Sequence, residues 1–248
     1  MKIFVINMAR ATERRATILR HLDELGLEAE ILPAVEGAKI ERSTLGPDAE
    51  PGLSAGEIGC YLSHIRFWQI VVERQLEHAI VLEDDVICEP AMMTVAEEIA
   101  SLKLPVDAVR LSALQPIRGH TIAHLSGGHS LLLPNKNPSG TQGYMVSLQG
   151  ARHLLQVLSV PKLPIDNALD AYWKHGLCVP IVSPSLVAED ASIASTIGGR
   201  FGSTTPWSLR RHLTRVAEAQ RRKITVYLMA LRLKSRLHNA RDSQTVAR

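Results

Sequence analysis

Lys2-Ile-Phe-Val-Ile-Asn7 is a β-branched and aromatic run of strand length. Thr12 to Leu25 follows with Ile18, Leu19, Leu22 and Leu25 at helical spacing, Thr12 as its N-cap and Gly26 as its stop. Ala29 to Pro33 is extended again. Strand, helix and strand within the first 33 residues open an α/β fold, and the remaining elements are read outward from that unit.

Glu36 to Ala55 is punctuated by Gly37, Gly46, Pro47, Pro51 and Gly52 and is expected to be a loop. Ser54 then caps a helix with Glu57 at the capping-box position, and Ile58, Tyr61, Leu62, Ile65, Trp68 and Val72 form its apolar face. Ala79-Ile-Val-Leu-Glu-Asp-Asp-Val-Ile87 is a buried-strand pattern ending in three carboxylates, Glu83, Asp84 and Asp85. Adjacent negative charges at a strand mouth need an offset, and a hard divalent cation with oxygen ligands is the simplest one. The plainer alternative has these acids facing water or capping the next helix. Further on, Met92–Leu102 is expected to be helical, Ala108–Leu111 extended, 115–141 a long loop carrying His120, His124 and His129, and Gly143–Ser147 a strand running into a helix at 148–158.

The chain has 248 residues, 46% of them hydrophobic, enough for one large domain with a substantial core. Cys60, Cys88 and Cys178 are sparse, odd in number and read as reduced buried thiols. Cys60 and His64 stand one helical turn apart, but two ligands do not make a zinc site, and Cys60 is assigned to the core. No secretory signal and no run of ~20 apolar residues is visible, so a cytoplasmic location is expected. The formal net charge of +3 conceals an asymmetry: residues 207–248 hold 11 Lys+Arg against 2 Asp+Glu, so a mildly acidic body carries a basic tail.

Several segments together resemble glycosyltransferase family 25, the lipooligosaccharide galactosyltransferase family. They are Val5-Ile6-Asn7-Met8 with Arg14; Leu53 to His64, with its Glu57-x-Gly59-Cys60-x-x-Ser63-His64 pattern; Val81 to Asp85; Gly143 to Ser147 with Gly150-Ala151 and Leu154-Leu155; Pro164-Ile165-Asp166; and Pro184 to Val187. They occur in the family's order over about residues 1–197, with Met8 where leucine is usual and Glu189 where an amide is usual. The resemblance implies a GT-A-type fold, a mixed central sheet flanked by helices, over 1–205. It also implies metal-assisted, inverting transfer of galactose or a related hexose from a UDP-sugar to a saccharide or lipid-linked oligosaccharide acceptor.

On that reading Glu83 and Asp85 hold Mn²⁺ or Mg²⁺, Asp85 directly. In an extended segment these two side chains share a face and Asp84 takes the other. The donor nucleotide is assigned to Asn7, Arg10, Arg14, His64 and Asp84. For several of these a structural role stays open: Asn7 satisfying a strand end, Arg14 solvated on its helix, His64 hydrogen-bonded in the core. Tyr144 either stacks on a sugar or packs internally. The general base is Asp166, with Asp170 and Glu189 as alternatives, and Asp166 as a helix N-cap is the competing reading. The two competing functions are a catalytically silent sugar-binding or scaffold relative and a nucleotidyltransferase. The second lacks its Gly-rich phosphate loop, since Met8-Ala9-Arg10-Ala11-Thr12 follows the first strand.

Residues 206–248 are expected to form a basic amphipathic helix, with Leu209, Leu213, Val216, Ile224, Leu228 and Leu231 at helical spacing among arginines. Such a helix suits an anionic membrane surface on the inner face of the cytoplasmic membrane, or packs on the body. No nucleic-acid role is expected, because only Tyr227 is interleaved with the basic residues.

Overall fold

The computed structural model describes residues 1–191 and 209–246, with side chains of the last helix described from 216 to 239. In chain order the regular elements are β1 (Lys2–Asn7), α1 (Thr12–Glu24), β2 (Ala29–Pro33), α2 (Ala55–Glu73), β3 (His78–Glu83), β4 (Val86–Cys88), α3 (Met92–Ser101) and β5 (Ala108–Arg110). They continue with β6 (Gly119–His124), β7 (Ser130–Pro134), β8 (Gly143–Ser147), α4 (Leu148–Val157), α5 (Ile165–Asp170), β9 (Ile181–Ser183), β10 (Val187–Glu189) and α6 (Leu209–Val246).

Eight strands form one mixed sheet in the order β2-β1-β3-β8-β5-β9-β7-β6. β1 runs parallel to both β2 and β3, while β8 is antiparallel to β3 and β5. The expected α/β class with a mixed central sheet flanked by helices is therefore present. The interior strands read as continuous apolar runs because both faces are covered: Phe4, Val5, Ile80, Val81 and Leu82 are fully buried. Phe67, Trp68 and Val71 of α2 and Met92, Val95 and Ile99 of α3 are buried in the same core.

The capping box of α2 forms as the sequence predicts: Ser54 Oγ accepts the Glu57 N–H and the Glu57 carboxylate accepts the Ser54 N–H. Gly26 ends the first helical segment at φ +69°, a left-handed conformation in which glycine has no steric cost. Two expectations need correction. Thr12 is the first helical residue rather than the N-cap; Ala11 holds that position without a side-chain cap. The stretch 115–141 is not a continuous loop, because β6 and β7 pair as a hairpin within it. Its glycine and histidine content hides the strands. At Gly119 a Cβ would meet the Leu133 carbonyl at 2.2 Å, so a glycine there permits the close strand approach, and Leu131 and Leu133 are fully buried.

The charged C-terminal segment is helical from Leu209, so the expected boundary at 206 lies outside the described residues. It packs on the body, which was one of its two readings. Val226, Ala230, Leu233 and Leu237 are buried against the β6–β7 side of the sheet. Tyr227 meets His120 ring to ring at 5.6 Å, and Lys174 pairs with Glu218 at 2.8 Å. Among the described residues no helix is long and apolar enough to cross a membrane.

Candidate active site

The C-terminal ends of β1 and β3 lie side by side, with Ile6 opposite Glu83. Beyond them the chain turns at Asp84 and Asp85 before β4. That turn, the start of α1, residues 34–38 and the first turns of α2 enclose a cavity of about 390 Å³. Arg10, Arg14, Cys60, Glu83, Asp84 and Asp85 all line it. Crevices outside the carboxyl ends of parallel strands are where open α/β sheets bind ligands.

Of the residues assigned from sequence, the acids and both arginines come together here. Asp84 and Asp85 are each only 7% exposed. Arg14 sits between them, 2.7 Å from Asp84 Oδ1 and in contact with Asp85 Oδ2. Asn7 Nδ2 donates to Asp84 Oδ2 at 2.6 Å and to the Ala11 carbonyl at 3.1 Å, so it ties the acid turn to the loop before α1. Burial pushes the Asp84 carboxyl above its usual range, with the charge of Asp85 adding to this, while Asn7 and Arg14 pull it back. Asp85 Oδ1 is buried and has no hydrogen-bond partner. An unsatisfied buried carboxylate oxygen is costly, and this one is open to a hydrogen-bond donor or a cation.

The alternation expected of the three acids does not hold, because β3 ends at Glu83 and the pleat is lost in the turn. Asp84 and Asp85 share one arginine, and Glu83 takes separate partners: Thr141 Oγ1 donates to Glu83 Oε1 at 2.8 Å, and the Glu83 N–H donates to the Gln142 carbonyl at 2.9 Å. Arg10 is at the exposed rim, 3.8 Å from Glu36.

The Gly59-Cys60-x-x-Ser63-His64 segment is explained by contacts of α2. At Gly59 a Cβ would meet the Val35 carbonyl at 2.5 Å and Gly37 N at 2.9 Å, so the helix carries the 34–38 loop directly against its backbone. Ser63 Oγ accepts the Val35 N–H at 2.8 Å and donates to the Gly59 carbonyl. His64 is 1% exposed and has one ring nitrogen, Nδ1, 3.0 Å from the Tyr144 hydroxyl, which also accepts Trp68 Nε1–H at 2.9 Å. Burial chiefly, and then the charge of Arg110, push the His64 pKa down to about 3, so the ring is neutral. Tyr144, 1% exposed, is internal, the packing alternative of its two readings. Cys60, assigned to the core from sequence, is half-buried on the cavity wall, and its Sγ, a His64 ring nitrogen and a Glu83 carboxylate oxygen lie within 4.8 Å of one another.

The three proposed bases are not among the residues lining this cavity. Asp166 lies in the first turn of α5, half-buried, with Oδ1 accepting the Asn167 N–H at 2.8 Å; Pro164, not Asp166, occupies the N-cap position. Asp170 closes the same helix and is 2.7 Å from the Arg110 guanidinium, both residues being 2% exposed. Burial raises the Asp170 carboxyl against the pull of Arg110 and of the Ser139 N–H. Glu189 is half-buried on β10, opposite Val86, and the Asp190 N–H donates to the Asp85 carbonyl at 2.8 Å. Sequence reading missed Arg110 and Thr141. A charged residue inside the apolar run Ala108–Leu111 was the available signal for Arg110, since a buried guanidinium requires a carboxylate.

Residues 1–169 match the family profile described as glycosyltransferase family 25 (LPS biosynthesis protein). A Bos taurus protein named probable inactive glycosyltransferase 25 family member 3 is 34% identical over 189 residues, covering 68% of this chain and 31% of that one. Danio rerio procollagen galactosyltransferase 1 is 31% identical over 192 residues, covering 70% of this chain and 32% of its own length. The chain thus spans about a third of the curated relatives it matches. Mouse xyloside xylosyltransferase 1 aligns structurally with a TM-score of 0.39 at 12% identity, over 71% of this chain and 69% of that one. With the profile matched over more than half of its length, this chain belongs to glycosyltransferase family 25.

Proposed function

We propose that this protein transfers a hexose, galactose in the first instance, from a UDP-sugar to a saccharide acceptor during surface-glycan synthesis, with inversion at the anomeric carbon and with Mn²⁺ or Mg²⁺ bound at Asp85. The observation that carries this reading is the buried, unpartnered Asp85 Oδ1 on a cavity that also holds Asp84, Arg14 and Arg10. A Mg²⁺-type ion needs only one or two protein carboxylates, because water and donor phosphate oxygens complete its shell. When bound, the ion offsets negative charge on the departing diphosphate.

The residues of the chain then have distinct tasks. Arg14 holds Asp84 and Asp85 in one orientation, and Asn7 fixes Asp84 from the other side. Arg10, exposed at the rim, contacts the donor. The acceptor oxygen forms a bond to the anomeric carbon as the bond from that carbon to the diphosphate breaks. The acceptor proton passes to a carboxylate, and general-base assistance of this kind is worth roughly 10²–10⁴ in rate. Asp166 is the proposed base, because Arg110 already occupies Asp170. Glu189, beside the acid turn, is the alternative.

The stripe Ile224, Leu228 and Leu231 on α6 is 45–60% exposed and lies opposite the buried Val226, Ala230, Leu233 and Leu237, while the half-exposed Tyr227 at its edge meets His120. In helical register it runs between Lys223 and Lys234 on one side and Arg221 and Arg232 on the other. We assign this face to an anionic lipid surface, which places a lipid-linked acceptor close to the catalytic domain.

A sugar-binding or scaffold relative without turnover is the second reading. It is favoured by Arg14, which already neutralises part of the acid pair, and by relatives named probable inactive. UDP release from UDP-galactose with and without Mn²⁺ separates the two. Metal-dependent release that Asp85→Asn lowers at least tenfold supports the transferase. UDP binding without turnover, over a screen of UDP-sugars and acceptors, supports the scaffold.

A further inference from the structure

Cys60 and His64 stand at i and i+4 on α2, and so on one face of that helix. That face meets the end of β3, where Glu83 turns away from Asp84 and Asp85. The three donor atoms lie within 4.8 Å of one another. Two of the side chains have a second contact that orients them: Tyr144 on His64 Nδ1 at 3.0 Å and Thr141 on Glu83 Oε1 at 2.8 Å. Trp68 in turn fixes Tyr144. His64 Nε2 is buried with no hydrogen-bond partner. Ligating histidines are held in this way through the nitrogen that does not bind the metal.

We propose that Cys60 Sγ, His64 Nε2 and a Glu83 carboxylate oxygen form a Zn²⁺ site, distinct from the Mn²⁺ or Mg²⁺ site at Asp85. A thiolate, an imidazole and a carboxylate make a donor set for a borderline-soft ion, whereas Mg²⁺ and Mn²⁺ prefer oxygen. Tetrahedral zinc, with bonds of about 2.0–2.3 Å, holds its ligand atoms roughly 3.3–3.7 Å apart. The present cluster, within 4.8 Å, is wider than that and closes by side-chain movement. The ligating tautomer of His64 carries its proton on Nδ1, donated to Tyr144 Oη, and presents the Nε2 lone pair. Cys60 loses its thiol proton to solvent on binding, so each zinc bound releases one proton from that group. Three protein ligands leave the fourth position open, and Cys60 and Glu83 both line the cavity, so that position faces the proposed donor. The site does not depend on the glycosyl-transfer reading.

The full chain, stripped with chelator, is dialysed against zinc and analysed for metal, and separately titrated with Co²⁺. The expected result is one Zn²⁺ per chain and a near-ultraviolet thiolate-to-cobalt absorption band. Cys60→Ser, a one-atom change, abolishes the band and weakens zinc at least tenfold, while its circular dichroism and melting temperature match the parent chain when both are free of metal. Asp85→Asn retains band and stoichiometry even where sugar transfer is lost, which separates this site from the proposed transferase chemistry. Zinc bound without a thiolate band, a band that persists in Cys60→Ser, or a band lost in Asp85→Asn would each overturn the proposal.

Discussion

Asp170→Asn removes one charge from a pair that is sealed from water. Asp170 and Arg110 are each 2% exposed and 2.7 Å apart. The asparagine keeps an oxygen for the Ser139 N–H, which now donates to Asp170 Oδ2 at 3.2 Å, so the change isolates the charge. Arg110 retains the Gly140 and Asp166 carbonyls, but these carry only partial charge. Removing one partner of a buried ion pair costs about 3–5 kcal/mol, because the other charge stays buried and uncompensated. At about 2–4 °C per kcal/mol for a chain of this size, the melting temperature falls by roughly 6–20 °C. Asp48→Asn is the control: Asp48 pairs with Lys162 at 3.1 Å on the surface, and such pairs contribute about 0–1 kcal/mol. Replacing both members of the buried pair, Arg110→Met with Asp170→Leu, recovers much of the loss, since apolar pairs of similar volume are often neutral substitutes. Urea unfolding and calorimetry read the parent chain, these variants and the two singles Arg110→Met and Asp170→Leu. A loss below about 1 kcal/mol in Asp170→Asn, or a double variant worse than the sum of the singles, refutes the reasoning. Sugar transfer lost in Asp170→Asn at unchanged melting temperature would return Asp170 to the list of bases.

Gly59→Ala is expected to destabilise by about 1–3 kcal/mol and to weaken UDP binding, because the added methyl drives the 34–38 loop off α2; unchanged calorimetric affinity contradicts this. Asp166→Asn lowers sugar transfer more than UDP binding, and equal losses move the base to Glu189. Above pH 10 the chain loses stability. Burial raises Tyr61 and Tyr172 to values above the ordinary tyrosine range and Tyr144 well above it, so the unfolded state gives up protons that the folded state keeps. The loss approaches about 1.4 kcal/mol per pH unit per tyrosine, Tyr61→Phe removes one share of it, and a flat profile between pH 10 and 11.5 counts against these burials. Leu228→Ser with Leu231→Ser abolishes flotation with anionic vesicles at unchanged melting temperature, and flotation that survives both changes removes the lipid assignment of α6.

What the sequence reveals here is mostly local. The capping box at Ser54 and Glu57, the stop at Gly26 and the apolar strand before Glu83 each depend on neighbours within a few residues, and each is found in place. The β6–β7 hairpin was hidden because its glycines and histidines carry turn and loop signals, while its stability comes from burying Leu131 and Leu133 on the rest of the sheet. The site divides in the same way. Arg14 was named, but its bridging of Asp84 and Asp85 depends on how α1 returns across the end of β3, which spacing alone does not specify. Cys60 and His64 stand out as a pair one helical turn apart, and their third donor arrives from a strand 19 residues after His64. Asp170 reads as an alternative base because its partner Arg110 is 60 residues earlier.

The acid triplet illustrates how a correct premise leads to an incomplete conclusion. Adjacent carboxylates do need an offset, and Arg14 with Asn7 already supplies one, so the turn is held without a cation. Ligand binding changes the electrostatic balance. Two like charges 4 Å apart repel by about 4 kcal/mol at the effective dielectric of a protein surface. An anionic diphosphate entering this cavity meets Asp84 and Asp85 with Arg14 already committed, and the exposed Arg10 is too well solvated to reverse the sign. A divalent cation on Asp85 Oδ1 does reverse it, because it adds two positive charges at a buried oxygen of the acid turn that lacks a hydrogen-bond partner. The physical case for a metal therefore rests on that open oxygen together with the charge of the proposed donor, and not on the mutual repulsion of the acids.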